Sequence, residues 1–599
     1  MSRNVSEMLG FLRRPRLPPA FKRLLGYFHP YRKTLLAGIT CLVMANIFRL
    51  VGPSVLRQVI DGLIVEISRP KLLRYAGLLL AIALALGIFL FLQRRLLVGV
   101  ARDVEYRVRK DYFAHLQKLP LQFFHRHRTG DLMARATSDL TAVRNLSGQG
   151  LIALMNAIFA TVLIIPIMAT VSLKLTLLAI LPMPLLAVAT QVFAKRVHER
   201  SRQVQEYVGF VSSSVQESLA GVRVIRAYGQ EEAEIAAFSQ INRELALRNL
   251  KLIRQAIIFS PLIQLFIGIG AIIIFWYGSL LIIRGTLTLG QYVQATLYLG
   301  FVWGPMIGLG NVFNLYQRAL VSMARIDGIL SIKPAIDDSH ADEEITEIAG
   351  AIEFRNLTFT YKDAPEPALR GIDLRILAGQ TVAIVGTVGS GKSTLVNLIP
   401  RLLEAKAGQV LIDGQSIQQI PLRVLRSAIS YVPQETFLFS DTLKDNVTFG
   451  TDNTTARELE AAMHESGLAE DLNDLAQGEE TLIGERGVTL SGGQKQRAAL
   501  ARALIRRPRI LILDDALSAV DTHMEEQILS HLRRLRHDRT TLIISHRVST
   551  VRHADLILVL KDGRVIEQGT HHELLVRGGM YAYLNQQQKL KEELVAVLS

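Results

Sequence analysis

The chain has 599 residues, of which 49% are hydrophobic and 20% charged, and its mean hydropathy is +0.27. A chain of this length and composition exceeds one compact core, and its apolar and charged stretches must be segregated. The net charge of +15 does not indicate a nucleic-acid partner, because the basic residues are spread between apolar runs instead of forming one face. The single cysteine, Cys41, excludes an intramolecular disulfide and a cysteine-ligated zinc site.

The N-terminal half predicts a membrane domain. Residues 1–19 are basic and contain proline but lack an apolar run with a cleavage site, so they do not form a signal peptide. Downstream stretches reach the length of about 20 predominantly apolar residues that crosses a bilayer. Six such spans are predicted: 34–56, 75–92, 151–171, 173–193, 256–283 and 289–309.

The segments between these spans predict the topology. Segments 93–149 and 194–255 are long, basic and helical in periodicity, so they and both termini are expected in the cytoplasm. Each is interrupted by glycine or proline, the first near Pro120 and Gly130 and the second near Gly221 and Gly229. We expect two helical extensions that project from the membrane and touch a cytoplasmic domain.

The pattern changes after residue 330. A polar, acidic linker is predicted over 331–350, and from 351 onward short β-rich runs alternate with helical segments. This alternation is typical of an α/β domain with a largely parallel sheet. The predicted strands are 352–361, 381–385, 429–432, 510–513, 540–544 and 556–560.

Three motifs in this second half carry phosphate chemistry. The phosphate-loop pattern G-x-x-x-x-G-K-[ST] lies between an apolar strand and a helix, where backbone N–H groups cradle phosphates, the lysine reaches them and the serine ligates Mg²⁺. The apolar run 509–513 ends in Asp514, a position for a Mg²⁺-supporting carboxylate. A glycine-containing segment that opens a helix predicts a second anion site. The two glycine-rich motifs comprise Gly386, Thr387, Val388, Gly389, Ser390, Gly391, Lys392, Ser393 and the adjacent Thr394, and Leu490, Ser491, Gly492, Gly493 and Gln494.

Together these motifs resemble the nucleotide-binding domain of ABC transporters, and the six spans with two cytoplasmic excursions resemble the exporter branch. Segments 124–139 and 511–521 look like bacterial multidrug-resistance-like half-transporters. The resemblance implies a six-helix all-α membrane domain (1–330), a linker (331–350) and an α/β nucleotide-binding domain (351–599), in the bacterial inner membrane. It also implies that ATP lies between one subunit's phosphate loop and the partner's LSGGQ segment.

Further roles follow from the resemblance alone. Tyr361 would stack on adenine, Gln434 would contact Mg²⁺ and water, and Asp521 would lie at the dimer interface. His546 resembles a histidine that contacts the γ-phosphate, and 484–487 resembles a loop that touches the membrane domain's cytoplasmic ends, around 123–128 and 221–230.

One position departs from the pattern. Active family members place glutamate after the Asp514 position, whereas this chain has Asp515. The loss of one methylene withdraws the carboxylate by roughly 1.5 Å, and a misplacement of about 1 Å can cost about a hundredfold in rate. We therefore expect a site that binds MgATP and hydrolyses it poorly, typical of the degenerate subunit of a heterodimer.

The sequence predicts half of an ATP-driven exporter of amphipathic drugs, lipids or peptides. Retained His546 keeps a homodimeric lipid or drug flippase open, and a non-transporting ATP-dependent regulator is a further alternative. The substrate is not indicated. Arg49, inside the first span, either faces a cavity and binds an anionic group or snorkels or pairs with a neighbouring helix.

Overall fold

The computed structural model describes residues 19–65, 68–362, 364–484, 487, 490–534 and 539–598, without the side chains at 187, 190, 191, 194, 195, 306, 307, 309 and from 591 onward. Residues 1–18, which the signal-peptide prediction concerns, and residues 485 and 486 of the 484–487 loop lie outside these residues. Contacts divide the chain into two compact units: Met1–Ala114 with Gly130–Ser331, and His115–Thr129 with Ile332–Ser599.

The first unit is helical, as its apolar and amphipathic periodicity predicts. In chain order the α-helices are α1 Pro19–Phe28, α2 Arg32–Val65, α3 Arg69–Leu116, α4 Leu121–Arg126 (part of the second unit), α5 Thr129–Ala134, α6 Leu140–Asn145, α7 Leu151–Phe159, α8 Ile165–Val171, α9 Leu173–Ile180, α10 Pro182–Ala220, α11 Val222–Ala227, α12 Glu231–Ala256, α13 Phe259–Ile283 and α14 Leu289–Leu330. A 3₁₀ turn at His29–Tyr31 precedes α2, and π-helical stretches at Arg135–Asp139, Leu146–Gly150 and Ala160–Ile164 join α5 to α8.

Within the described residues, five helical stretches are long and apolar enough to cross a membrane: Pro19–Val65, Arg69–Leu116, Thr129–Val171, Glu231–Ile283 and Leu289–Leu330. The predicted span 173–193 differs from the other five. It is formed by two consecutive helices, α9 and the start of α10, which meet at Leu181, just before Pro182 and Pro184, whose missing N–H groups interrupt the helical hydrogen bonds. The predicted interruptions of the cytoplasmic segments are present, after Leu116 and after Ala220.

The second unit contains a six-stranded sheet in the order β10-β9-β3-β8-β7-β6. Strands β3, β6, β7, β8 and β9 pair in parallel, and only β10 runs antiparallel, beside β9. Runs of branched apolar residues form its centre, and β7 and β8 are buried along their full length, as sheets covered on both faces require. Its strands are β3 Thr381–Gly386, β6 Ile429–Val432, β7 Ile510–Asp514, β8 Thr540–Ile544, β9 Leu556–Lys561 and β10 Arg564–Gly569.

A second sheet was not predicted. It is four-stranded and antiparallel, in the order β2-β1-β4-β5, with β1 Ile352–Phe359, β2 Leu369–Ile376, β4 Val410–Ile412 and β5 Gln415–Ser416. Only β1 was expected, and it ends before Tyr361. The other three strands are short or interrupted by polar residues, so their pairing with β1 decides their structure.

The buried residues form several clusters, one of which extends from Ile348 to Leu560 in β9, and these clusters are covered by helices. They are α15 Lys392–Leu398, α16 Leu422–Ser427, α17 Leu443–Thr448, α18 Ala456–Glu465, α19 Gly492–Leu504, α20 Thr522–Arg534, α21 Val548–Val551, α22 His571–Arg577 and α23 Met580–Leu598, with 3₁₀ turns at Ala469–Asp474 and Gly478–Glu480.

The predicted linker packs within the second unit from Ile332 onward. The Leu422 N–H donates to the Asp338 carboxylate at 2.8 Å, and the Asp342 N–H donates to the Gln419 carbonyl at 2.7 Å. Ile336 and Ile348 are buried. Its acidic residues therefore act as local hydrogen-bond acceptors instead of marking a free tether.

Candidate nucleotide-binding site

The phosphate loop joins β3 to α15. A Cβ atom on Gly386 would lie 2.2 Å from the Leu560 carbonyl oxygen, and Gly391 has φ +96°, so both positions require glycine. Thr387, Val388 and Gly389 are exposed at the tip, whereas Ser390 is buried. The loop thus presents its backbone to solvent at the start of a helix, which is the geometry that binds phosphate.

Lys392, the first residue of α15, lies inside this loop. Its Nζ donates to the carbonyl oxygens of Gly386 at 3.0 Å and of Thr387 at 2.8 Å, and its side chain is buried. Burial lowers the pKa of the Lys392 ammonium, while the charges of Asp514 and Asp515 act in the opposite direction. The lysine is therefore a buried cation held next to the exposed tip of the loop.

Two of the three residues predicted to hold Mg²⁺, Ser393 and Asp514, lie close together, whereas Gln434 follows another strand. Asp514, which ends β7, is 3% exposed, and the Ser393 side chain lies close enough to favour its charged form. The hydroxyl of Tyr431, which the sequence analysis missed, donates to Asp514 Oδ2 at 3.3 Å. Burial raises the pKa of Asp514, and the neighbouring Ser393 and Tyr431 partly offset that effect.

Among the described residues no group of three or more His, Cys, Asp or Glu side chains is placed to hold a metal. One carboxylate with one hydroxyl suits Mg²⁺, because this ion keeps several water or phosphate oxygens as ligands.

Asp515 follows directly and has an unusual backbone. Its φ is +52°, a left-handed conformation that is uncommon for a residue with a side chain. Its N–H donates to the Ile544 carbonyl at 2.9 Å, and Ser518 donates to its carbonyl at 2.9 Å. The backbone is fixed on both sides, so the reach of the carboxylate depends on the length of its side chain.

Sheet order explains how distant residues meet. Strands β3, β8, β7 and β6 are adjacent and parallel, so the residues after their carboxyl ends share one edge. The phosphate loop follows β3, His546 follows β8, and Gln434 follows β6. His546 and Gln434 are both exposed there.

Tyr361 lies two residues beyond β1 and contacts the phosphate-loop helix. Its hydroxyl is 3.0 Å from Thr394 Oγ1, and its ring meets Phe359 edge to face with centroids 5.1 Å apart. The ring is 36% exposed. This contact places an aromatic face beside the loop, where a base could stack.

The LSGGQ segment caps α19. Gln494 N–H donates to Ser491 Oγ at 3.2 Å, and Ser491 N–H donates to Gln494 Oε1 at 3.0 Å, a complete capping box. Gln494 Nε2 also donates to Asp471. Both side chains are therefore engaged within the chain, while Gly492 and Gly493 occupy the first turn, where N–H groups lack helical partners.

The structure does not join this segment to the phosphate loop: no hydrogen bond or ion pair links their described residues. Asp521 caps α20 through an N–H bond from Met524 at 2.9 Å, which lowers the pKa of the Asp521 carboxyl.

Two connecting residues were missed by sequence reasoning. Gln496 in α19 donates to Ser518 Oγ at 3.0 Å and accepts from the Ala519 N–H at 2.8 Å. Arg547, directly after His546, donates to the Ser518 carbonyl at 3.0 Å and pairs with buried Glu525 at 2.6 Å. The segment before Asp521 is thus tied to α19 and to the residue after His546. Their only sequence signal is proximity to the recognised motifs.

Comparisons with known proteins agree with these features. Residues 35–306 match the model of the ABC transporter transmembrane region, and residues 369–518 match the ABC transporter model. A probable multidrug resistance ABC transporter ATP-binding/permease protein, YheI of Bacillus subtilis, is 37% identical over 95% of this chain and 97% of its own. An ATP-dependent lipid A-core flippase of Syntrophus aciditrophicus is 33% identical over 96% and 95%.

Among solved structures, a bacterial Atm1-family ABC exporter with ATP bound superposes with a TM-score of 0.74 at 28% identity, covering 93% of this chain and 98% of that one. The chain therefore belongs to the ABC transporter family, as an integral membrane protein with a helical membrane domain and an ATP-binding domain, homologous to multidrug-resistance-like and Atm1-family exporters.

Proposed function

We propose that the chain is one half of an ATP-driven exporter that moves amphipathic drugs, lipids or peptides out of the cytoplasm or the inner leaflet by alternating access. The observation that carries this proposal is the contact between Ser393 and Asp514 beside the buried Lys392, in a chain that also carries apolar helices of bilayer length. The names of the multidrug-resistance and flippase relatives support this class of cargo.

In this proposal each loop residue has a defined part in holding MgATP. Lys392 and the N–H groups of the loop bind the phosphates, and Tyr361 stacks on the base. Ser393, Asp514 and Gln434 hold Mg²⁺, which neutralises phosphate charge when bound. Asp515 orients the attacking water and His546 contacts the terminal phosphate.

We further propose that the site is completed by a second half-transporter. The N–H groups of Gly492 and Gly493 begin a helix that has no bond to the chain's own phosphate loop, which is what a surface offered to another subunit's nucleotide would have. Asp521 would lie at the same interface. ABC exporters act as dimers, and this pairing assigns the LSGGQ segment to the partner's ATP.

Asp515 favours a heterodimer in which this chain supplies the degenerate site. Its fixed backbone prevents the shorter side chain from recovering the reach of glutamate by a shift of the strand. A homodimeric flippase remains the second candidate, because His546 is present at the same edge. A non-transporting regulator is a third, and it differs by moving no cargo. In all three, the chain lies in the bacterial inner membrane with both termini and the ATP-binding domain in the cytoplasm.

Two measurements test these assignments. Inverted vesicles that contain this chain and a candidate partner should accumulate a fluorescent amphiphile with ATP and lose uptake with Lys392→Ala; binding of ATP without any uptake would favour the regulator. Purified chain alone should hydrolyse ATP slowly, and fast turnover lost on Lys392→Ala would contradict the heterodimer.

A further inference from the structure

Helices α2 and α14 are joined by a series of polar contacts. At one end, Asp61 accepts from Thr288 Oγ1 at 2.9 Å and from the Gly290 N–H at 3.0 Å. Farther along the seam, the Tyr298 hydroxyl donates to the Leu50 carbonyl at 2.7 Å and lies 2.8 Å from Ser54 Oγ. These polar groups satisfy one another, as a membrane interior requires.

Arg49 is the next polar residue along this seam, and it is charged. The guanidinium of Arg49 makes a cation–π contact with Phe301, whose ring centroid lies 5.8 Å from the guanidinium carbon. Among the described residues, Arg49 has no hydrogen bond or ion pair. Arg57, on the same helix, pairs with Asp61 at 3.8 Å. Charged groups inside membrane helices are normally paired, so an unpaired guanidinium indicates a binding function.

The position of Arg49 argues against simple snorkelling. It lies near the middle of the 34-residue helix α2, which is interrupted only by Pro53. Leu42 and Ala45 are buried, whereas Ile47 and Val51 are 40% and 37% exposed. At 100° per residue Arg49 falls on the face of Leu42 and Ala45, opposite the exposed pair. Its side chain therefore lies on the buried face of α2, on the side of Phe301.

We propose that Arg49 binds the oxyanion of an acidic amphiphile, a phosphate or carboxylate on an apolar chain, as part of the transport pathway. This inference rests on the proposed export function and names the class of its cargo. A guanidinium presents paired N–H donors that match such an oxyanion in two parallel hydrogen bonds. Arg49 is half-buried and has no hydrogen bond or ion pair among the described residues, so its N–H donors remain for such an oxyanion.

Native mass spectrometry of the full-length chain, titrated in neutral detergent, tests the proposal without ATP or transport. The probes are dodecyl phosphate, inorganic phosphate and the neutral 1-monolauroylglycerol. Arg49→Gln should weaken dodecyl phosphate binding by about tenfold or more, because charge-assisted hydrogen bonds are lost, and should leave monolauroylglycerol unchanged. Arg57→Gln is the matched control and should bind as the unmodified chain does.

The proposal would be overturned by equal binding of dodecyl phosphate to the Arg49→Gln variant, by an equal loss for the neutral probe, or by tight binding of inorganic phosphate, which would indicate a free anion site. Weaker dimer cross-linking of Arg49→Gln with unchanged binding of dodecyl phosphate would also overturn the proposal. That result would indicate that Arg49 pairs with a carboxylate of the second subunit instead of an oxyanion ligand. If Arg49→Gln does not fold, judged by lost ATP binding, Arg49→Lys should weaken dodecyl phosphate binding severalfold, and no change would refute two-point recognition. If vesicle uptake fails while dodecyl phosphate binding still depends on Arg49, the result contradicts the proposed export function and not the role of Arg49 in binding.

Discussion

The phosphate loop and the LSGGQ segment both begin a helix with glycines, but they use their polar side chains in opposite ways. In the phosphate loop, Lys392 and Ser393 reach the loop carbonyls and Asp514, so a cation and a metal ligand stand beside the N–H groups. In the LSGGQ segment, Ser491 and Gln494 bond to each other's backbone, and only N–H groups remain.

The difference indicates that the two regions have different roles, one in nucleotide binding and the other in hydrolysis. The phosphate loop carries the chemistry to bind nucleotide alone, whereas the LSGGQ segment carries too little charge to do so and would add donors to a phosphate that is already held. Mutations in the first region should therefore change binding, and mutations in the second should change hydrolysis at unchanged binding.

The largest effect is expected for Lys392→Ala. It removes the only buried cation described in the loop, so ATP affinity measured by isothermal titration should fall by at least about a hundredfold. Lys406→Ala, at an exposed position just before β4, is the control and should not change affinity. Unchanged ATP affinity in Lys392→Ala would refute the assignment of nucleotide binding to the phosphate loop.

Gly493→Ala tests the other region. A Cβ there would lie 3.0 Å from the Ala519 carbonyl oxygen, so the first turn of α19 must shift. ATPase activity of the assembled transporter should fall by roughly tenfold to hundredfold, with nucleotide affinity of the isolated chain unchanged. Gly99→Ala, whose added methyl meets nothing within 4 Å, serves as control. Loss of binding would show that the two regions are not separate.

Asp515→Glu tests whether the side chain of Asp515 is too short to orient the attacking water. Restoring one methylene should raise hydrolysis by roughly tenfold while the dissociation constant for MgATP stays the same. Asp515→Asn should lower any residual activity. A rate that does not rise in Asp515→Glu would contradict the degenerate-site assignment.

The buried Asp514 predicts a pH dependence. Because burial raises its pKa, the neutral form persists to higher pH than for an exposed aspartate, and the neutral form is a poor ligand of Mg²⁺. MgATP affinity should therefore weaken as pH falls, by about tenfold per pH unit below that pKa. Asp514→Asn should remove this component and leave only the titration of ATP itself, measured with EDTA. An identical pH profile in both proteins would rule out Asp514 as a ligand.

The smallest effect concerns Tyr361. Tyr361→Phe removes the hydroxyl that bonds Thr394 and keeps the ring, so ATP affinity should change by less than about threefold. Tyr361→Ala removes the stacking face and should cost about tenfold. Equal losses in a fluorescent-nucleotide titration would mean that the contact with Thr394, and not stacking, supports binding.

Sequence patterns predicted the helical first half, the parallel sheet and the phosphate loop because each depends on local periodicity or on glycine at fixed spacing. Strands β6 and β8 match their predicted limits. Pairing partners are not local: the antiparallel sheet depends on β1, and the predicted linker depends on main-chain groups at 419 and 422. The span at 173–193 is divided at Leu181, a break that apolar composition alone does not reveal.

Sequence by itself thus determined the class of the protein and which residues carry charge. Only the tertiary structure decided which polar groups have partners: Tyr431 with Asp514, Arg547 with Glu525, and Arg49 with an aromatic ring instead of a carboxylate. The reason is that pairing depends on distances between segments far apart in the chain, and sheet order and helix packing set those distances.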